Sequence, residues 1–451
     1  MSRHRRLRTL APLASTLALA ATLTALSTTT PAHAATTNVP CDPDPITAGT
    51  GLKTAVTAAA PGDTLVLTDY CVYGFNDTNK TDATNALVID KTLTIQGNNA
   101  TLTRKGGTLR LVRLTIGTLT TDTLTLTNGN PGPGQGGGGI LTDTNTTLTA
   151  TNLNIQGNTA TNDGGGLRFN NSIVTLTGGT ISDNHAGRDG GGGEGWGQAA
   201  FHNVTITSNR ADGGGGGIYT ESGSDLTLDQ NTTVRDNTSA DQGGGIYADE
   251  TLTITDSSIT DNHTIGLREG GGLYLSNGPA TVTGSTISGN TNLSEGGGIY
   301  MPGGASLTLD DTQVANNRTI SEDGRGAGIY AEGGSSLSIT NGSAITGNLA
   351  SGRNSTGGGL YNEGTLTVDN SSITGNKVTG TGSYAAGIHN NFSGSVILTN
   401  STVTNNTAPA HPAPGGIWTN TQFTDTTGTT ITGNTPTNCI LSPVIPTGCV
   451  G

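Results

Sequence analysis

Four carboxylates keep one position relative to a repeated aromatic residue. Glu221, Asp249, Glu332 and Glu363 each lie two residues beyond a tyrosine, at Tyr219, Tyr247, Tyr330 and Tyr361. Glu221 with Asp249, and Glu332 with Glu363, are one repeat apart. Stacked repeats would bring each pair to about 5 Å at the backbone, near the ~5–5.5 Å carboxyl separation of retaining glycosidases. Like charges so close raise one pKa relative to the other, which is the split an acid and a base need. The plainer alternative is solvated residues at strand ends.

The aromatic residues are a second candidate. Tyr219, Tyr247, Tyr274, Tyr300, Tyr330 and Tyr361, then His389 and Trp418, each directly follow an aliphatic residue in a glycine-rich phrase such as DQGGGIYADE at 241–250. If the aliphatic residue faces inward, period-two alternation turns the aromatic one outward, giving a ladder about 35 Å long. Aromatic faces stack on sugar rings, so Tyr219 to Tyr361 and Trp418 could bind a polysaccharide. Outward tyrosines also stack on one another, by up to ~1 kcal/mol per pair without any ligand.

A third set stands where many glycine runs begin: Asp163, Asp189, Asp212, Asp241, Glu269, Glu295 and Asp323. Such a stripe could hold Ca²⁺, and no cofactor is otherwise expected. Arg188, Arg210, Arg268 and Arg325 share those loops, so alternating charge explains it as well. At 186–203 the pattern breaks: Glu194 takes the ladder position, Asp189, Trp196 and His202 are nearby, and a Leu-x-Leu strand is expected to be missing. Irregularity in a regular array marks either function or a local loop-out.

Positioning these residues requires a repeat. A β-branched residue, two small or polar ones and an asparagine recur at Asn158, Asn184, Asn209, Asn237, Asn262, Asn290, Asn317, Asn348, Asn376, Asn406 and Asn434, a mean period of 27.6 residues. Periods of this size mean a solenoid or array. Each repeat reads as three short period-two strands between Gly, Asn, Asp and Ser turns, with no helical period. The expected fold is all-β: a right-handed parallel β-helix of three-strand coils of about 28 residues. Ile218, Ile246, Leu273, Ile299, Ile329, Leu360, Ile388 and Ile417 form its inward ladder, and each asparagine closes a turn in a left-handed conformation, bonded to the next coil.

Open strand edges need covers. Leu52, Val56 and Ala59 share one face of a short capping helix, and the expected plan is a cap with the first coils over 35–98, repeats over 99–434 and a C-terminal cap over 435–451. Residues 1–34 read as a signal peptide, with basic, apolar and small-residue regions in order. No later stretch is apolar enough to span a bilayer. Removing Arg3, Arg5, Arg6 and Arg8 from the 20 basic residues leaves 16 against 33 acidic, a charge of −17, which argues against nucleic acid. Four cysteines suit an oxidising compartment, and the separation of the solenoid's ends pairs Cys41 with Cys71 and Cys439 with Cys449.

The paired G-G-x-[IL] and x-x-x-N signals resemble those of secreted bacterial right-handed parallel β-helix repeat proteins of the pectate-lyase-like fold. They also resemble polymorphic outer membrane protein repeats, with Ile or Val here in place of Phe. The resemblance covers nearly the whole mature chain and implies fold, since this fold carries lyases, hydrolases and adhesins alike. Of the polygalacturonase signals only Asp310-Asp311 is present, without its partners. With no membrane barrel, sorting motif or hydrophobic anchor at the C-terminus, the expectation is a monomer released from the cell. The leading functional expectation is binding of carbohydrate or a cell surface along the tyrosine face. The alternatives are a polysaccharide lyase or glycoside hydrolase on that face, with Glu221, Asp249, Glu332 and Glu363 as catalytic candidates, and a structural protein without ligand.

Overall fold

The computed structural model describes residues 34–409, 413–421 and 427–450, so the signal peptide expected over 1–34 lies, Ala34 excepted, outside the described residues. From the cap onward the chain winds as a right-handed parallel β-solenoid of about 14 turns. One coil shows the plan: strands at Ile246–Ala248, Thr251–Thr255 and Ser258–Thr260, then a two-residue strand at His263–Thr264. The first three pair in parallel with their counterparts one coil on, Ile246 with Leu273, Leu252 with Ala280 and Ile259 with Ile287. The fourth strand, absent from the three-strand expectation, belongs to a separate nine-stranded sheet. It exists because each ladder asparagine also accepts from the next coil through its backbone, as Asn262 O does from Thr291 N at 2.9 Å.

Ile246, Leu252, Ile254 and Ile259 are all fully buried, and their counterparts continue one thin core along the axis. Full burial of one such side chain stabilises by about 1.5–3 kcal/mol. The phrase GGGIY divides its labour among the three glycines. Gly243 has φ +66° and turns the chain into the coil, whereas a Cβ on Gly244 would lie 2.3 Å from Gly271 O and one on Gly245 2.7 Å from Gly272 O. Close stacking of coils therefore demands the second and third glycines.

The asparagines form a continuous buried ladder. Asn262 donates from its backbone N and from Nδ2 to Asn290 Oδ1, at 2.9 and 3.0 Å, and from Nδ2 to Val234 O at 2.9 Å. The left-handed conformation expected on these asparagines falls instead on the residue before each one: Asp236 (φ 55°), Asp261 (54°), Gly289 (68°) and Asn316 (55°), for example. The amide must point along the axis to bond both neighbours, so the preceding residue absorbs the turn. Asn434 continues the chain onto Asn438 Oδ1 at 3.1 and 3.0 Å, which ends the ladder in the C-terminal segment.

The capping helix α1 spans Pro45–Ala58 and buries Ala48, Gly49, Leu52 and Val56. It starts earlier than the Leu52 stripe indicates because Asp44 caps it, accepting from Ile46 N at 3.3 Å and Thr47 N at 3.1 Å, with Pro45 in the first turn. Cys41 bonds Cys71 beneath this cap, and Cys439 bonds Cys449 at the other end. The first bond closes a span of 30 residues, which by loop-closure entropy amounts to about 3–4 kcal/mol. A Cys41→Ser/Cys71→Ser variant is expected to lose that much stability in the cap, seen as early hydrogen exchange in α1. Unchanged exchange there would show that packing alone holds the cap.

The irregular coil corrects the sequence reading. No strand is lost: Gly193–His202 runs as one strand of ten residues, and its second half pairs Gln198–His202 with Asp225–Asp229. Ala199 and Phe201, 2% and 1% exposed, take the two leucine positions.

Candidate functional site

Parallel register carries one outward column along the first sheet. It runs from Arg113 through Leu141, Arg168 and Glu194 to Tyr219, Tyr247, Tyr274, Tyr300, Tyr330, Tyr361, His389 and Trp418. The six tyrosine rings stack face to face, with centroids 4.2, 4.9, 5.4, 5.1 and 4.9 Å apart and planes within 10°. His389 sits 4.6 Å from Tyr361 and 4.4 Å from Trp418. At these separations each ring from Tyr247 to Tyr361 has a neighbouring ring over both faces. What the column turns outward is ring edges and hydroxyls.

Outward here does not mean exposed, which is a second correction. Tyr300, Tyr330 and Tyr361 are 8%, 5% and 3% exposed and His389 is 3%, while Tyr219, Tyr247, Tyr274 and Trp418 are half-buried. The loops that enter the glycine runs cover them. Glu295, Arg325, Thr356 and Tyr384 form their own parallel row of bridges beside the buried rings, and the Arg325 guanidinium lies 5.5 Å from the Tyr361 ring centre. A two-letter alternation gives the direction of a side chain but not what a loop from another part of the coil lays over it.

The acidic stripe is ion-paired along most of its length. Asp163 meets Arg168 at 3.4 Å and Arg188 at 3.7 Å, Asp212 meets Arg210 at 3.0 Å, Asp241 meets Arg268 at 3.3 Å and Glu295 meets Arg325 at 3.4 Å. Among the described residues no group of three or more His, Cys, Asp or Glu side chains converges as a metal site would. Burial raises the carboxyl pKa of Asp189, Glu269 and Glu295. The other carboxylate row, beyond the tyrosines, is more open. Glu221 is exposed, and Asp249, Glu332 and Glu363 are half-buried. Asp249 accepts from Asn277 Nδ2 at 3.0 Å, and Glu332 from Gly303 N at 3.2 Å and Tyr300 OH at 3.5 Å. Register places Glu221 beside Asp249 and Glu332 beside Glu363 on adjacent coils.

Two features stand at the ends of the tyrosine row. At one end Glu194, 1% exposed, lies 3.0 Å from Arg168 Nε, and burial pushes its carboxyl up to about 9 despite that arginine, with Glu221 adding to the rise. His202 is not part of this cluster, since it pairs with Asp229 at 2.5 Å on the next sheet, and Trp196 faces solvent.

At the other end is a polar pocket of about 200 Å³, lined by Asp323, Arg325, Asn354, Thr356, Tyr361, Tyr384, His389 and Asn391. Burial, then Arg325, depresses the His389 imidazole to about 3, so it is neutral at physiological pH. Neither of its ring nitrogens has a hydrogen-bond partner among the described residues. Asn391 donates to Tyr361 OH at 2.9 Å. Sequence reasoning passed over Asn391 although the signal was there: it stands two beyond His389, where Glu363 stands two beyond Tyr361. Tyr384 carried no such signal, because it comes from the loop. A larger hollow of about 600 Å³ over Gln230, Asn231, Asp256 and Ser257 is an open groove between stacked turns, remote from this column in the coil.

A family model described as a right handed beta helix region matches residues 117–291 and 268–440, most of the chain. The chain belongs to the right-handed β-helix family. This β-helix is also similar to the solved A-module of Azotobacter vinelandii mannuronan C-5 epimerase AlgE6. The two share 12% identity over 87% of this chain and 98% of that one, at a TM-score of 0.26, a score at which the likeness says nothing about chemistry. No curated protein matches it.

Proposed function

We propose that this β-helix is an extracellular glycan-binding protein that holds an oligosaccharide lengthwise along the edge of the aromatic column. Its two disulfides suit an oxidising compartment. The observation that carries the reading is the pocket at the column's end, where a buried neutral His389 leaves two hydrogen-bonding nitrogens unmatched among the described residues. Buried polar groups are normally paired, and a ligand rich in hydroxyls supplies both donors and acceptors. Because the ring faces are taken, sugars would meet hydroxyls, amides and carboxylates, about one coil per sugar.

The test keeps the stack intact. Tyr361→Phe with Asn391→Ala removes two polar contacts and leaves the rings, and at about 1–1.5 kcal/mol for each bond it should weaken glycan binding roughly tenfold or more. A variant that folds and binds a glycan panel as the parent does would sink the reading. Binding without turnover also predicts no new reducing ends and no unsaturated product on prolonged incubation.

A further inference from the structure

The hydroxyl row runs between two rows of carboxylates. Glu269 and Glu295 stand on the loop side, and Glu332 and Glu363 stand two residues beyond the rings. Glu332 Oε2 lies 3.5 Å from the Tyr300 hydroxyl and 3.2 Å from Gly303 N, which sets its charge at the hydroxyl end of the ring, and, after burial, the fields of these four carboxylates help raise the phenol pKa of Tyr274, Tyr300 and Tyr330. Asp323 adds another carboxylate at the pocket, and against the set stand Arg325, already 3.4 Å from Glu295, and Arg268, already 3.3 Å from Asp241, whose charge also acts on Glu269.

Like charges on adjacent coils repel, and one coil beyond Glu363 the same position is held by the neutral Asn391, which donates to Tyr361 OH and accepts from Asn420 Nδ2 there. A polyanionic glycan would meet this excess of negative charge and the chain's overall −13. A neutral glycan would leave the repulsion as it is. A cationic one relieves it, and the unprotonated imidazole of His389 offers a lone pair that accepts from an ammonium or a hydroxyl.

We infer that the glycan on this face carries amino groups protonated at neutral pH, a polymer of deacylated hexosamine, whose ammonium groups are received by Glu332 and Glu363. This rests on the glycan reading above and adds the charge of the ligand.

The experiment is isothermal titration of the whole mature chain with three six-sugar probes: β-1,4-linked glucosamine, its N-acetylated form and an oligogalacturonate. The amino probe should bind at least tenfold tighter than the acetylated one, and the advantage should shrink with added salt. A Glu332→Gln/Glu363→Gln variant should lose most of that advantage, roughly three- to fivefold per carboxylate. An Asp310→Asn/Asp369→Asn variant removes the same charge from the Leu-x-Leu sheet and should lose none, which separates a site from general attraction of a polycation. Equal or tighter binding of the acetylated or uronate probe overturns the ammonium assignment and leaves the glycan reading standing. Equal loss in the two double variants also overturns it. Failure of all three probes to bind overturns the assignment, and the panel experiment then decides the glycan reading separately.

Discussion

Replacing Asn290 with alanine is expected to destabilise the central coils by about 3–5 kcal/mol. The side chain donates to Ile259 O at 2.9 Å and to Asn317 Oδ1 at 3.0 Å. It also accepts from Asn262 N and Nδ2 at 2.9 and 3.0 Å. All of these groups are buried and out of reach of water. Truncation leaves the Asn262 amide N–H without its partner, at about 1–3 kcal/mol, and takes one bond each from Ile259 O, Asn262 Nδ2 and Asn317 Oδ1, at about 0.5–1.5 kcal/mol per bond. Stability in a solenoid is a sum of coils and interfaces, so the loss should appear as hydrogen exchange concentrated in the coils that hold Asn262, Asn290 and Asn317. Denaturant unfolding should lose its single transition. A measured cost under about 1 kcal/mol would mean that the aliphatic core, not the amide ladder, fixes the register of the coils.

Stability should fall on both sides of a plateau between about pH 4.5 and 6.5, set by Glu194 and His389 at the two ends of the tyrosine row. Glu194 titrates near 9 in the fold, against about 4.3 in an unfolded chain. Its contribution is present in full below the unfolded value and is lost as pH rises through 9. His389 is depressed to about 3, against about 6.5 unfolded. Its contribution is present above 6.5 and is lost as pH falls through 3. Between pH 4.5 and 6.5 the two slopes oppose each other and nearly cancel. From 6.5 to 9 Glu194 is the one of the two that acts, at up to about 1.4 kcal/mol per pH unit. The unfolding free energy of the parent should therefore fall steadily relative to that of Glu194→Gln over that range. His389→Phe keeps a ring in the stack and should flatten the acid side relative to the parent. Parallel curves for parent and Glu194→Gln would show that Arg168 keeps the carboxyl ionised in the fold.

Most of the architecture was legible because each rule acts within one coil. The β-branched residue and asparagine at a period of 27.6 demand a stack, and a stack with free ends demands caps and local cysteine pairs. Where the reading failed, the deciding contact came from a neighbouring coil or loop. The left-handed residue precedes each asparagine because the amide is already committed to two neighbours. The strand at 193–202 survives without its leucines because Val174 and Leu176 pair beside Ala199 and Phe201.

The candidate site shows the same division. Sequence alone determined that an aromatic residue follows each aliphatic residue of the ladder from Ile218 to Ile417 and that carboxylates stand two beyond four of the tyrosines, since strand alternation is a property of the covalent chain. Only the tertiary structure decided that the rings cover one another's faces and that Tyr300, Tyr330 and Tyr361 lie beneath the loop row of Glu295, Arg325 and Thr356. It alone closed Tyr384 and Asn391 around a buried histidine. Ring stacking and the Asn391 bond to Tyr361 join residues a full coil apart, and their energies depend on distances that exist only after the coils have stacked.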